Sequence, residues 1–220
     1  MNKRENRRNS RRLYPVIMIT LVIVIAVLAV ILILTRRSET EEVSVYGIGN
    51  VDQYRPQMSV ELLTPNPYSR PQTATDKITG IVIHYVANPG STAEQNRSYF
   101  EGLKDSHETY ASSHFIVGLE GEIIQCVPTS EVAYASNDRN HDTVSIEVCH
   151  PDETGKFNDA TYDSLVELTG WLCEYLEVPV DNVIRHYDVT GKLCPLYFVE
   201  HEDAWEQFKD DVTHWISKHQ

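Results

Sequence analysis

The chain has 220 residues, 41% of them apolar, and a formal net charge of −13 at pH 7. Eight basic and one acidic residue fall within residues 1–37, so the rest carries eleven basic and thirty-one acidic side chains, a net charge of −20. That excess of negative charge excludes nucleic acid as a partner of the larger part, and the length allows one ordinary domain with accessory segments.

The accessory segments come first. Residues 1–12, "MNKRENRRNSRR", form a basic stub. Residues 13–35, "LYPVIMITLVIVIAVLAVILILT", carry no charge. At about 1.5 Å per helical residue such a run crosses a hydrocarbon core of about 30 Å. A cleaved signal peptide would show an apolar stretch of only about 7–15 residues ending in a small-residue site. This run is longer and leads into Arg36 and Arg37, which predicts an uncleaved single-pass transmembrane helix. Six basic residues precede the span and two follow it. The N-terminus is therefore expected in the cytoplasm beside anionic head groups of the lipid bilayer, and the remainder outside the cell membrane. Residues 36–76 mix charge with turn formers and hold Pro65, Pro67 and Pro71, the composition of an extended extracellular linker or leader.

Residues 77–220 are expected to form the domain. "ITGIVIHYV" is β-branched and apolar and reads as a buried strand ending near His84. "STAEQNRSYFEGL" opens with a Ser91…Glu94 capping box and reads as a helix. "SSHFIVGLEGEIIQCVP" places two apolar runs around Gly121, a hairpin. "TVSIEVCH" is a further strand. Leu165, Leu168, Leu172, Tyr175 and Leu176 recur at helical spacing. "DNVIRHYD" reads as a short strand, and "DAWEQFKDDVTHWI" as a closing helix. Alternating strands and helices around one hairpin predict an α/β fold with a single mixed β-sheet flanked by helices.

Four cysteines outside the cell allow two disulfides. Yet Cys126 and Cys149 lie in strand-like runs and Cys173 in a helical one, where a free thiol is an ordinary small core residue. Trp171, Trp205 and Trp215 lie in amphipathic helices and are expected in the core. His107, His141, His150, His201, His214 and His219 stand in polar surroundings and are expected at the surface.

Three candidate metal ligands remain at strand ends: His84, His186 and Cys194. Zinc takes neutral imidazole and thiolate, and a catalytic site offers three protein ligands with a fourth position for water. With nine histidines and four cysteines in the chain, spacing alone does not single out this triple. Alternation in "VSIEVC" sets Val144, Ile146 and Val148 on one face and Ser145, Glu147 and Cys149 on the other. Glu147 then faces either solvent or, in a sheet covered on both sides, a ligand; in the second case it suits a general base. Lys192 is either a solvated turn lysine or, with Cys194 on a metal, an oxyanion stabiliser. His114 is expected as a hydrogen-bonded pocket histidine.

The blocks "GIVIHYVANPGS", "SSHFIVGLEGEIIQCVP", "TVSIEVCH" and "RHYDVTGKLCP", in this order, resemble the zinc-dependent N-acetylmuramoyl-L-alanine amidases of type 2, whose fold is shared with the peptidoglycan recognition proteins. The resemblance spans about Ile78 to His214, and the last block is its sharpest part. It implies one zinc ion on His84, His186 and Cys194, Lys192 polarising the substrate carbonyl, and Glu147 as general base. The implied substrate is peptidoglycan or a muropeptide of a bacterial cell wall, cut between N-acetylmuramic acid and L-alanine. One departure is Ser113, where some members carry a tyrosine close to the zinc. Members that lack the cysteine bind peptidoglycan without cutting it, so a non-catalytic binding module is the main alternative. A structural zinc site is another, and it requires His114 or Glu147 as a fourth ligand. A cysteine protease fits poorly, because Pro195 follows the cysteine and no helix N-terminus activates it.

Overall fold

The computed structural model describes residues 51–220. The basic stub, the apolar run at 13–35 expected as a membrane span, and the first part of the linker lie outside the described residues. Among the described residues, no helix is long and apolar enough to cross a membrane.

Among the described residues, six strands form one sheet: β1 (Ser59–Val60), β2 (Gly80–Tyr85), β3 (Phe115–Val117), β4 (Ile123–Gln125), β5 (Thr143–Val148) and β6 (Val183–Arg185). Their spatial order is β1-β4-β3-β5-β2-β6. Only the β3–β4 hairpin is antiparallel; every other pair is parallel, so the sheet is mixed as expected. Gly121 takes φ +81° in the hairpin turn, and a Cβ there would lie 2.9 Å from the Ala160 carbonyl oxygen. The turn needs glycine on both counts.

Among the described residues, five α-helices flank the sheet: α1 (Ala93–Ser106), α2 (Asp159–Leu176), α3 (His186–Thr190), α4 (Leu196–Glu200) and α5 (Glu202–His219). Ile81, Ile83, Val144, Ile146 and Val148 pack against Leu165, Leu168 and Leu172 of α2 and Phe208 and Val212 of α5. The opposite face, with Ile116, Ile124 and Cys149, packs under Ala93, Phe100 and Leu103 of α1. Each such side chain taken fully out of water contributes about 1.5–3 kcal/mol. Trp171 and Trp205 belong to the first cluster and Trp215 packs against it. All four cysteines are buried free thiols.

Three local expectations shift. The capping box of α1 is Thr92 with Gln95, one residue later than expected. Ser91 instead closes the preceding turn, its hydroxyl donating to the Asn88 carbonyl at 2.7 Å. Strand β6 stops at Arg185, because the Asp188 carboxylate accepts the Arg185 backbone N–H at 2.8 Å and so starts α3 at His186. Finally, the compact unit runs from Asn50 to Gln220, so part of the stretch expected as leader packs on the domain. Ser59–Val60 pair with β4, Leu63 is fully buried, and Arg70 forms a two-point ion pair with Glu131 at 2.8 Å. A two-residue strand has no period, so composition gave only its extended character.

Candidate functional site

Strands β5, β2 and β6 are adjacent and parallel, so their carboxyl ends open at one edge of the sheet, the usual place for a site in such folds. His84 is the penultimate residue of β2 and pairs in register with Glu147 of β5. Ile83 pairs with Arg185, which sets His186 next to His84 at the end of β6. The chain then turns through α3, leaves it at Gly191 with φ +78°, and comes back. The Tyr187 N–H donates to the Cys194 carbonyl at 2.9 Å, and the Cys194 N–H to the Lys192 carbonyl at 2.7 Å. A short helix and a tight turn thus return Cys194 to the residue from which the chain departed.

Arg185 fixes this corner. Its guanidinium donates to the Asp188 carboxylate at 3.0 Å, the Phe198 carbonyl at 3.0 Å and Glu202 at 2.6 Å. It ties β6, α3, α4 and α5 together one residue before the histidine.

Donor atoms of His84, His186 and Cys194 all lie within 4.8 Å of one another, and all three residues are buried. The Cys194 Sγ is 3.9 Å from His84 Nδ1, and the two imidazole centroids are 4.6 Å apart. Zinc bonds of about 2.3 Å to sulfur and about 2.0 Å to nitrogen, at a tetrahedral angle, set donors roughly 3.5 Å apart. A small contraction meets that. His186 Nδ1 is buried without a hydrogen-bond partner, a cost the site bears unless something occupies that lone pair.

The electrostatics agree with the donor set. Burial, with help from His186, Lys192 and His114, holds His84 well below its ordinary value. Burial and then Lys192 lower His186. Both rings are therefore neutral and able to ligate. Burial, reinforced by Glu147, pushes the Cys194 thiol up to about 12, while the Tyr85 backbone N–H and Lys192 oppose this. A metal has to displace that proton. Two neutral imidazoles and one displaceable thiol fit a single zinc ion.

Glu147 is half-buried, and its Oε2 is shielded from solvent without a partner. Burial raises its carboxyl to about 8, and Lys192 pulls it back down. Lys192 itself is exposed. Its positive charge acts on His84, His186, Glu147 and Cys194 alike.

His114 stands apart from the donor set. Its Nδ1 accepts the Ser145 backbone N–H at 3.0 Å and its Nε2 donates to the Glu131 carbonyl at 2.9 Å. Both nitrogens are used, so it offers no fourth ligand atom. Ser113 donates its hydroxyl to the Phe115 and Ser145 carbonyls at 2.8 and 3.0 Å, engaged in the sheet and unable to stand in for a tyrosine. His150, expected at the surface, is buried beside Tyr85, with its Nδ1 2.7 Å from the Asp152 carbonyl.

Two residues at the site escaped the sequence reading. Ser136 Oγ lies 3.2 Å from His84 Nε2, and Asn137 Oδ1 lies 2.8 Å from His186 Nε2. "SNDRN" is a polar stretch without period, and nothing in it separates a loop from a support for two histidines.

Comparison with known proteins agrees with this arrangement. Residues 74–196 match the family described as N-acetylmuramoyl-L-alanine amidase. A probable N-acetylmuramoyl-L-alanine amidase of Bacillus licheniformis is 33% identical over 165 residues, covering 70% of this chain and 46% of that protein. The N-acetylmuramoyl-L-alanine amidase BlyA of Bacillus subtilis (strain 168) is 30% identical over 168 residues, covering 67% and 44%. The chain thus spans less than half the length of these curated relatives. Among solved structures, that of PlyL superposes with a TM-score of 0.62 at 23% identity, over 71% of this chain and 97% of that one, a likeness of fold. With a matched segment that runs from the edge of the leader to the residue after Pro195, and so contains every donor of the cluster, the chain belongs to the type-2 N-acetylmuramoyl-L-alanine amidase family.

Proposed function

We propose that this protein is a zinc-dependent peptidoglycan hydrolase that cleaves the amide between N-acetylmuramic acid and the L-alanine of the stem peptide. The observation that carries the reading is the convergence of His84, His186 and Cys194 within 4.8 Å, with an unpartnered carboxylate oxygen of Glu147 on the neighbouring strand. Family membership and the amidase relatives support the substrate class.

His84 and His186 through Nδ1, and Cys194 through Sγ, would hold the ion. When bound, zinc supplies Lewis acidity, polarising a carbonyl and lowering the pKa of water at the site to about 7. Glu147 takes a proton from the attacking water and returns it to the leaving amine. Its carboxyl suits that shuttle, because burial raises it towards neutrality while Lys192 keeps the ionised form accessible. A cation held by the three donors acts in the same sense as Lys192. Lys192, exposed two residues before Cys194, stabilises the oxyanion that forms on the amide carbonyl. That interaction grows as charge develops and so lowers the barrier. Burial of the donors would keep bulk water from competing with them for a bound ion.

The uncharged run at residues 13–35 adds an anchor to this reading. The N-terminus stays in the cytoplasm, the domain faces outward, and the tether lets it reach the inner layers of the wall. Incubating residues 38–220 with muropeptides, with and without a chelator, tests the activity. Release of a free stem peptide, identified by mass and abolished by the chelator, is the expected result. Binding of muropeptide without release would leave a non-catalytic peptidoglycan-binding module.

A further inference from the structure

The two candidate histidine ligands are held in the same way. In each, Nδ1 faces the donor cluster and Nε2 faces a polar side chain. Those side chains belong to consecutive residues. Ser136 Oγ meets His84 Nε2 at 3.2 Å, and Asn137 Oδ1 meets His186 Nε2 at 2.8 Å. An amide oxygen only accepts, so His186 carries its proton on Nε2, and Nδ1 keeps a bare lone pair. That is the atom left buried without a partner. A purely structural pair of buried histidines would satisfy both nitrogens, as His114 does.

The loop is built to hold this position. Asn137 has φ +53°, a left-handed backbone that asparagine tolerates better than most residues. The Asn140 side-chain oxygen accepts the backbone N–H groups of Ala135 at 3.0 Å and Ser136 at 2.6 Å. Asn140 donates its own N–H back to the Asn137 carbonyl at 3.1 Å, and Arg139 ties the far end to Asp142 at 2.7 Å and Thr79 at 3.0 Å. Ser136 is buried. The turn is thus held by hydrogen bonds of its own side chains and by Thr79.

We propose that Ser136 and Asn137 are positioning residues, Asn137 locking His186 as the Nε2–H tautomer and Ser136 fixing the His84 ring through its Nε2, so that the ligand geometry offered to the metal is preset by the loop between β4 and β5. The inference rests on the zinc reading above. Partners of this kind set ring orientation and ligand basicity, and their loss weakens metal affinity by about 10–100-fold.

The test is a zinc titration of the full chain against a chromophoric chelator, with the cobalt-substituted absorption spectrum as a second readout. Asn137→Gly keeps the left-handed backbone and removes only the amide, while Ser136→Ala removes only the hydroxyl. Each is expected to raise the zinc Kd about 10–100-fold and to alter the cobalt ligand-field bands. Asn137→Asp restores an acceptor and is expected to recover wild-type affinity. Wild-type Kd and an unchanged cobalt spectrum in both Asn137→Gly and Ser136→Ala would overturn the proposal while leaving the zinc site standing. A wild-type chain that takes up no zinc would remove the zinc reading and the proposal with it.

Discussion

His84 and Glu147 are register partners across the parallel pair β2–β5, so their side chains leave the same face of the sheet at its carboxyl end. One residue of slip in that pairing would turn Glu147 into the apolar cluster with Ile146 and break the site. The mixed sheet therefore decides the chemistry, and the following outcomes are expected from it.

Cys194→Ser removes the only soft donor from the cluster. Stoichiometric zinc is expected to fall below detection by elemental analysis, with hydrolysis lost alongside it. Full zinc occupancy in the variant would sink the ligand assignment.

Glu147→Gln keeps shape and burial but cannot take a proton. Turnover should fall about 10²–10⁴-fold, the usual worth of a positioned acid–base group, at unchanged zinc content. Steady-state kinetics on a muropeptide decide it, and wild-type kcat would exclude the carboxylate from the mechanism.

Lys192→Ala should lower kcat by about 10²–10³-fold and change KM much less, because its contact strengthens only as the oxyanion forms. An effect confined to KM would make Lys192 a substrate-binding residue instead.

His114 predicts an acid-side loss of stability. Burial lowers it from 6.5 to about 4, against smaller opposing contributions from Glu131. The unfolded chain therefore takes up this proton before the folded one does. Its contribution is complete above pH 6.5 and disappears as pH falls towards about 4, up to about 3 kcal/mol. Urea unfolding across that window should be steeper in pH for the wild type than for His114→Gln, and equal slopes would contradict the prediction.

Leu63→Ala tests whether the leader is part of the domain. Leu63 is fully buried against the α1 face. Its truncation should cost about 2–5 kcal/mol, a fall in Tm of roughly 5–15 °C. An unchanged melting curve would make the segment a loose tether.

Much of the fold could be read from the chain itself. The β-branched runs around His84 and Glu147 are long enough to declare buried strands, and alternation in "VSIEVC" already assigned Glu147 to the face opposite Ile146. The leucine spacing of α2 and the glycine of the hairpin were equally plain. Less could be read where local alternatives are nearly equal. Ser91 and Thr92 are both competent caps, and the turn closed by Ser91 chose between them. His150 stands among polar neighbours in sequence, yet folding puts it under Tyr85.

By itself, then, the sequence determined the periodicities, the mixed α/β pattern, the uncharged run near the N-terminus and the residue types from which a candidate metal site could be built. Those are local properties, set by side-chain size, branching and charge over a few consecutive positions. Only the tertiary structure decided that His84, His186 and Cys194 meet, that Glu147 stands beside them, and that Ser136 and Asn137 support the rings from behind. His186 and Cys194 share one short block, but His84, the Ser136–Asn137 pair and Glu147 come from segments far from it in the chain. Strand order, register and one pinned turn bring them together, and no short stretch of sequence encodes that proximity.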